Sequence, residues 1–503
     1  MKKTALISVT DKIGILIISN ELIKNGYSII ATSGTSKLLN ENKIACMEIS
    51  DFTGFPEILE GRVKTLHPKV FAGILADPKK ECHNHQLEKL RTPFIDIVIC
   101  NLYDFENKKN IVSESEIINY IDIGGASLMR AAAKNYVNTI VLTSPEQYAE
   151  FILKLNNNDL NEDYRKKLAT AAFRKTGNYD MSISNYFSGI DFDEKIFSVN
   201  TSEKLAYGEN PHQSASHITS IADKYILKPS AGSRLSYNNI LDAGFALKLV
   251  ENFRSENFCA IIKHNNPCGA AYGLTQADAY LRAFECDPVS AYGGIIVFNK
   301  TVTEKTANLI TKNFTEMVIA SDFENGALEV LKKKEKMRIV SYSANNNYVE
   351  VELRYTNCGM LVQSCDKINE DISKLRSKTS TAVDLNKYDD IWLALNLCRA
   401  LKSNAIAITN NGRLAGAGCG QPNRVDSVRI ALNNSKKFGL NTDRGILASD
   451  GFFPFADSIE LIRDSGIKTI IQPGGSKRDE EVITACEKYK IALIITGIRH
   501  FLH

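Results

Sequence analysis

The 503-residue chain has one tryptophan, and its longest apolar stretches, such as residues 94–100 and 491–495, fall far short of the ~20 residues a membrane-spanning helix needs. No transmembrane segment is expected. The start, Met1-Lys2-Lys3-Thr4-Ala5-Leu6-Ile7, is interrupted by Asp11 and Lys12 before any small-residue cleavage site, which argues against a signal peptide. There is no C-x-x-C pair: the 11 cysteines are scattered from Cys46 to Cys486, and the nearest two are Cys358 and Cys365. That spacing excludes a redox motif and a zinc ribbon, and a reducing cytoplasm fits it best. Charge of one sign is lacking too, since 61 basic against 58 acidic side chains leave +3. Bulk electrostatics therefore predict neither nucleic acid nor a membrane surface as partner. What is present, 44% hydrophobic and 24% charged residues, is ordinary for a globular protein, and at ~150 residues per domain the length asks for about three domains.

The first third alternates. Residues 5–9, 28–31 and 45–49 read as strands, with helical spacing over 13–24 and 36–42 between them. The rhythm continues with a strand at 95–100, helical stretches at 115–120 and 127–134, and a strand at 139–143. Such alternation predicts an α/β fold built on a parallel sheet. Residues 189–204 turn polar without periodicity and read as a linker; a charged segment at 366–390 marks a second boundary. The two regions it separates share a Lys-x-Asn beside an apolar strand, at Lys263-His264-Asn265 and Lys402-Ser403-Asn404, which fits an internal duplication or chance.

Several strings carry chemistry. Ser33-Gly34-Thr35 follows an apolar run and opens a helix, the arrangement of a phosphate cradle or of a plain tight turn. Thr10 and Lys12 follow the preceding strand, on what becomes the same sheet edge. In Gly61-Arg62-Val63-Lys64-Thr65 two cations stand two apart, so an extended backbone projects both to one side, toward an anion or toward solvent. Asp122, followed by Gly124-Gly125, reads as a carboxylate where backbone approaches a ligand, or as a turn. Lys263-His264 at a strand end pairs an ammonium with a group that titrates near neutrality, suited to stabilising an oxyanion and to general-base work. The run 414–421, Leu-Ala-Gly-Ala-Gly-Cys-Gly-Gln, departs from a Walker loop and is compatible with a closely packed strand. Residues 449–457 cluster aromatics and carboxylates in a loop, as a buried plug or as a wall for a flat heterocycle. Cys82-His83-Asn84-His85 sits in a polar stretch read as a surface loop, with too few ligands for zinc.

Taken in order, Gly61 to Pro68, Asn101-Leu102-Tyr103, Ile121 to Gly125, Tyr207-Gly208-Glu209-Asn210-Pro211-His212-Gln213, Lys263-His264, Lys402-Ser403-Asn404 and Arg499-His500-Phe501-Leu502-His503 closely resemble the bifunctional enzymes of the last two steps of purine synthesis to inosine monophosphate. These join phosphoribosylaminoimidazolecarboxamide (AICAR) formyltransferase to IMP cyclohydrolase, and the resemblance runs essentially end to end. It implies a methylglyoxal-synthase-like cyclohydrolase at 1–190, then a transformylase of two cytidine-deaminase-like units at 204–365 and 366–503, the last including a linker. Metal-dependent deamination is disfavoured, because Pro267-Cys268 lacks the second cysteine and His264 is followed by Asn265-Asn266.

The resemblance also implies roles. Lys12, Ser33, Gly34 and Thr35 would hold the nucleotide phosphate, Thr10 would be a further substrate contact, and Arg62, Lys64, Thr65, Asn101, Tyr103, Asp122 and Lys134 would surround the formamide and carboxamide. Lys64, Tyr103, Asp122 and Lys134 would be catalytic there; Lys263, His264 and Asn404 would be catalytic in the transformylase. Tyr207, Asn239, Gly293, Glu316, Arg424, Phe452, Asp457 and Arg499 would contact AICAR, and Val289, Tyr292, Pro454, Phe455, Ser476 and Lys477 would lie near the cosubstrate, 10-formyltetrahydrofolate. The implied partners are AICAR, formyl-AICAR, IMP and a reduced folate, in a homodimer, with no catalytic metal. Three positions depart from the family pattern: Ala206 stands where a basic residue is usual, Asp104 replaces a proline, and Ser321-Asp322 replaces a Pro-Gly pair. The first removes a phosphate contact; the others read as turn substitutions. A nucleotide-binding protein that kept the fold and lost one activity is the competing expectation.

Overall fold

The computed structural model describes residues 3–109, 111–188, 201–219, 223–253, 256–344, 351–366 and 370–503. They form two compact units, Met1–Asn200 and Thr201–His503.

In the first unit β1 (Lys3–Ser8), β2 (Tyr27–Ala31), β3 (Met47–Glu48), β4 (Ile97–Cys100) and β5 (Ile140–Leu142) make an all-parallel sheet in the order β3-β2-β1-β4-β5. The strands read as continuous apolar runs because helices cover both faces; all four residues of β4 are buried. The strand expected at 45–49 is shorter. Only Met47 and Glu48 pair, at the sheet's edge, and Ile49 turns inward to begin the helix Ile49–Thr53. Cys82-His83-Asn84-His85 is helical as well, inside Glu81–Leu90, with Leu87 its one buried residue. A solvated helix face and a loop share that polar composition, which is why the loop reading fails. His83 Nδ1 accepts the Asp77 N–H at 3.0 Å, and among the described residues no three His, Cys, Asp or Glu side chains gather as metal ligands.

The second unit begins inside the stretch read as linker: β6 (Thr201–Lys204) pairs with β7 (Ser216–Thr219), while 189–200 lie outside the described residues. An eleven-stranded sheet follows. Its strands are β8 (Tyr225–Ala231), β9 (Asn257–Lys263), β10 (Asn266–Gly273), β11 (Ile295–Phe298), β12 (Met317–Ala320), β13 (Arg338–Ala344), β16 (Ile406–Asn410), β17 (Arg413–Gly418), β18 (Ile446–Ser449), β19 (Thr469–Gln472) and β20 (Ala492–Ile495); β14 (Val351–Thr356) and β15 (Gly359–Ser364) form a separate hairpin. The order is β20-β19-β18-β16-β17-β10-β9-β11-β12-β13-β8.

That order is a duplication. Outward from the β10–β17 pair, each half runs as a hairpin, an antiparallel neighbour and two further parallel strands. Ile262 faces the first residue of β11 and Thr409 the first residue of β18, so the turn His264-Asn265 (φ 52° and 56°) matches the turn Asn411-Gly412 (φ 53° and 70°). The Lys-x-Asn echo, however, is not its trace. The counterpart of Asn404 is Asn257: the Nδ2 of Asn257 donates to the Leu274 carbonyl and that of Asn404 to the Pro422 carbonyl, each at 3.2 Å. Lys263 ends a strand whereas Lys402 precedes one, and because β9 and β16 run in opposite directions, both still reach the same sheet edge.

Close packing explains the glycine run. It is β17, and a Cβ on Gly416 or Gly418 would stand 2.3 Å from the Ala431 carbonyl oxygen or 2.0 Å from that of Ser427, both on the helix Arg424–Lys437. Nor is 366–390 a solvated linker: Asp366 and Glu370 bind His500, Ser377 bridges to Ile494, and Asp390 is buried.

Candidate functional site

In the first unit the connections leave β1 toward β2 on one side and β4 on the other, so a crevice opens at the carboxyl ends of β1 and β4. A cavity of about 460 Å³ occupies it, lined by Thr10, Arg62, Lys64, Thr65, Asn101, Tyr103 and Asp122 among others. The cations arrive by a turn and not by the extended segment expected. Leu59, Glu60 and Gly61 all have positive φ (53°, 55° and 90°), and Arg62 is in the right-handed helical region. Such backbone is costly for Leu and Glu, and here it folds the chain over the crevice. Arg62 donates to Asn119 Oδ1 at 2.8 Å.

Asp122 caps the helix Ile123–Lys134, its Oδ1 accepting the Gly125 N–H at 2.7 Å. Burial pushes its carboxyl pKa up, against the Gly125 N–H and Lys64. The glycine pair is the helix's first turn, and a Cβ on Gly124 would lie 2.7 Å from Thr65 Oγ1, so close approach demands it. Lys12 Nζ donates to Thr35 Oγ1 at 2.7 Å and to the Val9 carbonyl, joining the strand end to the helix Ser33–Glu41. Its pKa is lowered by burial and then by Lys64. Ser33 Oγ donates to Glu57 at 2.5 Å, and Gly34 is exposed beside it.

Two expectations fail in part. Lys134 sits in the last turn of the helix that Asp122 caps, exposed and ~16 Å along the axis from the cavity, and it does not line it. Asn101 does line the cavity, but its Oδ1 accepts the Thr10 and Asp11 N–H groups at 2.5 and 3.1 Å and its Nδ2 donates to the Asp11 carbonyl, so it shapes the loop. Sequence reasoning passed over Tyr179, on the helix Glu162–Phe187, whose hydroxyl accepts the Asp122 N–H at 2.8 Å and donates to the Tyr120 carbonyl at 2.5 Å.

In the second unit strand direction gathers the remaining candidates at one sheet edge. Lys263 and His264 end β9; Val289, Tyr292, Gly293 and Glu316 precede β11 and β12; Asn404 precedes β16; Arg424 follows β17; Phe452, Pro454, Phe455 and Asp457 follow β18; Ser476 and Lys477 follow β19; Arg499 follows β20. Lys263 Nζ donates to the Tyr292 and Gly293 carbonyls at 2.8 and 3.3 Å. His264 is exposed. Asn239 donates to Glu316 Oε1 at 2.9 Å, and Arg338 meets the same oxygen at 3.3 Å. Tyr207 is tied to this group through its carbonyl, which accepts the Tyr237 N–H. In the aromatic cluster Phe453 is the fully buried plug, whereas Phe452 and Phe455 stay exposed; Arg478 stacks over Phe455 and Arg499 over Phe501.

Arg424, expected to contact AICAR, is engaged within the protein. Its side chain is 6% exposed, it pairs with the fully buried Asp450, and it donates to Ser449 Oγ at 2.8 Å and to Asn404 Oδ1 at 2.7 Å. Asp450 also accepts the Ser403 hydroxyl at 2.5 Å and the Ala405 N–H at 3.0 Å. Arg424 thus orients Asn404, whose Nδ2 is held by the Gln421 and Pro422 carbonyls. The signal for Asp450 was its place at a strand end before glycine. Asp242, also missed, accepts the Asn265 N–H at 2.7 Å beneath His264.

The family model described as AICARFT/IMPCHase bienzyme matches residues 132–434, and the one described as MGS-like domain matches 14–127. The bifunctional purine biosynthesis protein PurH of Aquifex aeolicus is 42% identical over 514 residues, 99% of this chain and 100% of its own. The chain belongs to the AICARFT/IMPCHase bienzyme family. Proteins of the same name from Caldicellulosiruptor saccharolyticus and Prochlorococcus marinus are 43% and 42% identical, with both chains covered fully. As a member of this family the chain is a bifunctional enzyme of the final two steps of IMP synthesis, AICAR formylation and ring closure, with an MGS-like domain at the N-terminus. Formyl transfer in the family depends on folate. No helix among the described residues is long and apolar enough to cross a membrane.

The departures from the family pattern are local. Ala206 is exposed, its N–H bonded to the Leu235 carbonyl. Asp104 caps the helix Phe105–Lys108, and Asp322 accepts the Phe323 N–H at 2.8 Å, so both carboxylates serve turns.

Proposed function

We propose that the cavity at the ends of β1 and β4 is the cyclohydrolase site and the gathered sheet edge the transformylase site, within domains 1–190, 204–365 and 366–503. What carries the first assignment is the convergence of Arg62, Lys64, Tyr103 and Asp122 on one cavity, with Lys12 outside its lining but bonded to the carbonyl of Val9, which lines it. Lys12, the Thr35 hydroxyl and the start of the helix at Ser33-Gly34 hold the phosphate of formyl-AICAR. The carboxamide nitrogen attacks the formyl carbon, forming the ring C–N bond; the formyl oxygen leaves as water. Lys64 stabilises charge on that oxygen, and Tyr103 and Asp122 move the protons; orientation supplies much of the acceleration, since both partners lie on one substrate. The distant Lys134 takes no direct part in this chain's own cavity.

In the transformylase the formyl donor is 10-formyltetrahydrofolate. His264 takes the proton from the AICAR 5-amine as its nitrogen attacks the formyl carbon; the bond to folate N10 then breaks and N10 gains a proton. Lys263, steered by two carbonyls, stabilises the tetrahedral oxyanion, and Asn404, steered by Arg424, positions the carboxamide or formyl group. Arg499, Asn239 and Glu316 hold the nucleotide, while Val289, Tyr292, Pro454, Phe455, Ser476 and Lys477 face the folate. The enzyme works as a cytoplasmic homodimer. Incubation with AICAR and 10-formyltetrahydrofolate is expected to yield IMP; accumulation of formyl-AICAR would leave the transformylase alone.

A further inference from the structure

The duplicated sheet supplies an internal control for the catalytic turn. In the second half Asp390, on the helix Tyr388–Ala400, accepts the Asn411 and Gly412 N–H groups at 3.0 and 2.6 Å and pairs with Lys387 at 3.1 Å. In the first half Asp242, on the equivalent helix Tyr237–Val250, accepts the Asn265 N–H at 2.7 Å. Oriented to suit its neighbours, the Asn265 amide also donates to Asp242 Oδ1 and to the Leu241 carbonyl, each at 3.1 Å. The shared role is to hold a left-handed hairpin turn. The difference lies in charge. Asp390 pairs with Lys387, just before its helix, whereas the groups acting on Asp242 are Lys263 and His264 of the strand end it supports.

We propose that Asp242 is a positioning residue of the transformylase, its carboxylate accepting the Asn265 N–H and so holding the His264–Asn265 turn that presents His264. The inference rests on His264 being the base for the AICAR amine. Three charged groups face this turn: Asp242 from the helix, Lys263 from β9 and Glu316 from the entrance to β12. Burial pushes the Asp242 carboxyl pKa up; the Asn265 N–H, His264 and Lys263 oppose that rise, and Glu316 adds to it.

Asp242→Ala removes the acceptor for the Asn265 N–H, whereas Asp242→Asn keeps an oxygen there. Transformylase kinetics are followed for both, with circular dichroism confirming the fold. The expected result for Asp242→Ala is kcat reduced roughly tenfold with an AICAR KM within about twofold, because a displaced base affects the reacting step and not the binding of AICAR. Asp242→Asn restores most of kcat, and Asp390→Asn leaves kcat unchanged. A wild-type kcat in Asp242→Ala, or an Asp242→Asn enzyme as impaired as Asp242→Ala, overturns the positioning role. A His264→Ala enzyme that formylates AICAR at the wild-type rate overturns instead the reading of His264 as base.

Discussion

Arg62 and Lys64 line one cavity with Asp122, and Lys12, bonded to the carbonyl of Val9 in its wall, has its pKa lowered by burial and then by Lys64. A phosphate relieves the repulsion. Charge-assisted hydrogen bonds contribute about 1.5–3 kcal/mol, so Lys12→Ala is expected to weaken IMP binding roughly 10- to 100-fold by calorimetry, without loss of stability. Arg424 behaves in the opposite way. Its removal strands the buried Asp450 carboxylate, and a broken buried pair costs about 3–5 kcal/mol, so Arg424→Ala should lower the urea midpoint of the second unit as well as formylation. A simple AICAR ligand would affect KM alone. His500 adds a pH signature. Burial lowers its pKa, but hydrogen bonds to Glu370 at 3.0 Å and Asp366 at 2.6 Å outweigh that and raise it overall. With the folded pKa raised, its stabilisation is complete below the unfolded value near 6.5 and is lost as pH climbs through the folded value. Thermal unfolding followed from pH 6 upward should show that loss, and His500→Gln should abolish it.

At the scale of elements, the helices are seated by backbone contact as much as by apolar stripes. A Cβ on Gly269 would stand 1.9 Å from the Ala283 carbonyl oxygen, as one on Gly416 would stand 2.3 Å from that of Ala431; the two sites are equivalent in the duplication. Overpacking of this kind costs about 1–3 kcal/mol, so Gly416→Ala should shift the chemical denaturation midpoint downward while leaving ring closure in the first unit intact. The sequence was legible where periodicity was clean. The parallel strands of the first unit and the helix Ile15–Lys24 followed from apolar spacing, whereas the two transformylase halves came only from the family resemblance. Arg62 and Lys64 were found for the wrong reason, since three positive-φ residues in a row have no sequence signature unless all are glycine. Asp242 was invisible because one carboxylate in an apolar helix resembles a solvated position. Lys134, named only from the family resemblance, stands at the far end of the helix that Asp122 caps, since a helix carries its residues apart at ~1.5 Å each. The Lys-x-Asn echo misled because equivalent strands run in opposite directions, so matching letters fell at opposite ends of matching strands.

At the scale of the molecule, a near-neutral composition gives no sign of the few cations that matter, Arg62 and Lys64 at one cavity and Lys263 at one sheet edge. The central claim is that these are two separable centres, with Lys64 serving ring closure and His264 serving formyl transfer. The measurement that tests it most directly follows formyl-AICAR and IMP in time for wild type, Lys64→Ala and His264→Ala, each given AICAR with 10-formyltetrahydrofolate and, separately, formyl-AICAR. The account predicts that Lys64→Ala accumulates formyl-AICAR from AICAR, and that His264→Ala makes no product from AICAR yet closes supplied formyl-AICAR at the wild-type rate. If His264→Ala still converts AICAR to IMP at the wild-type rate, or Lys64→Ala closes formyl-AICAR unimpaired, the account is contradicted.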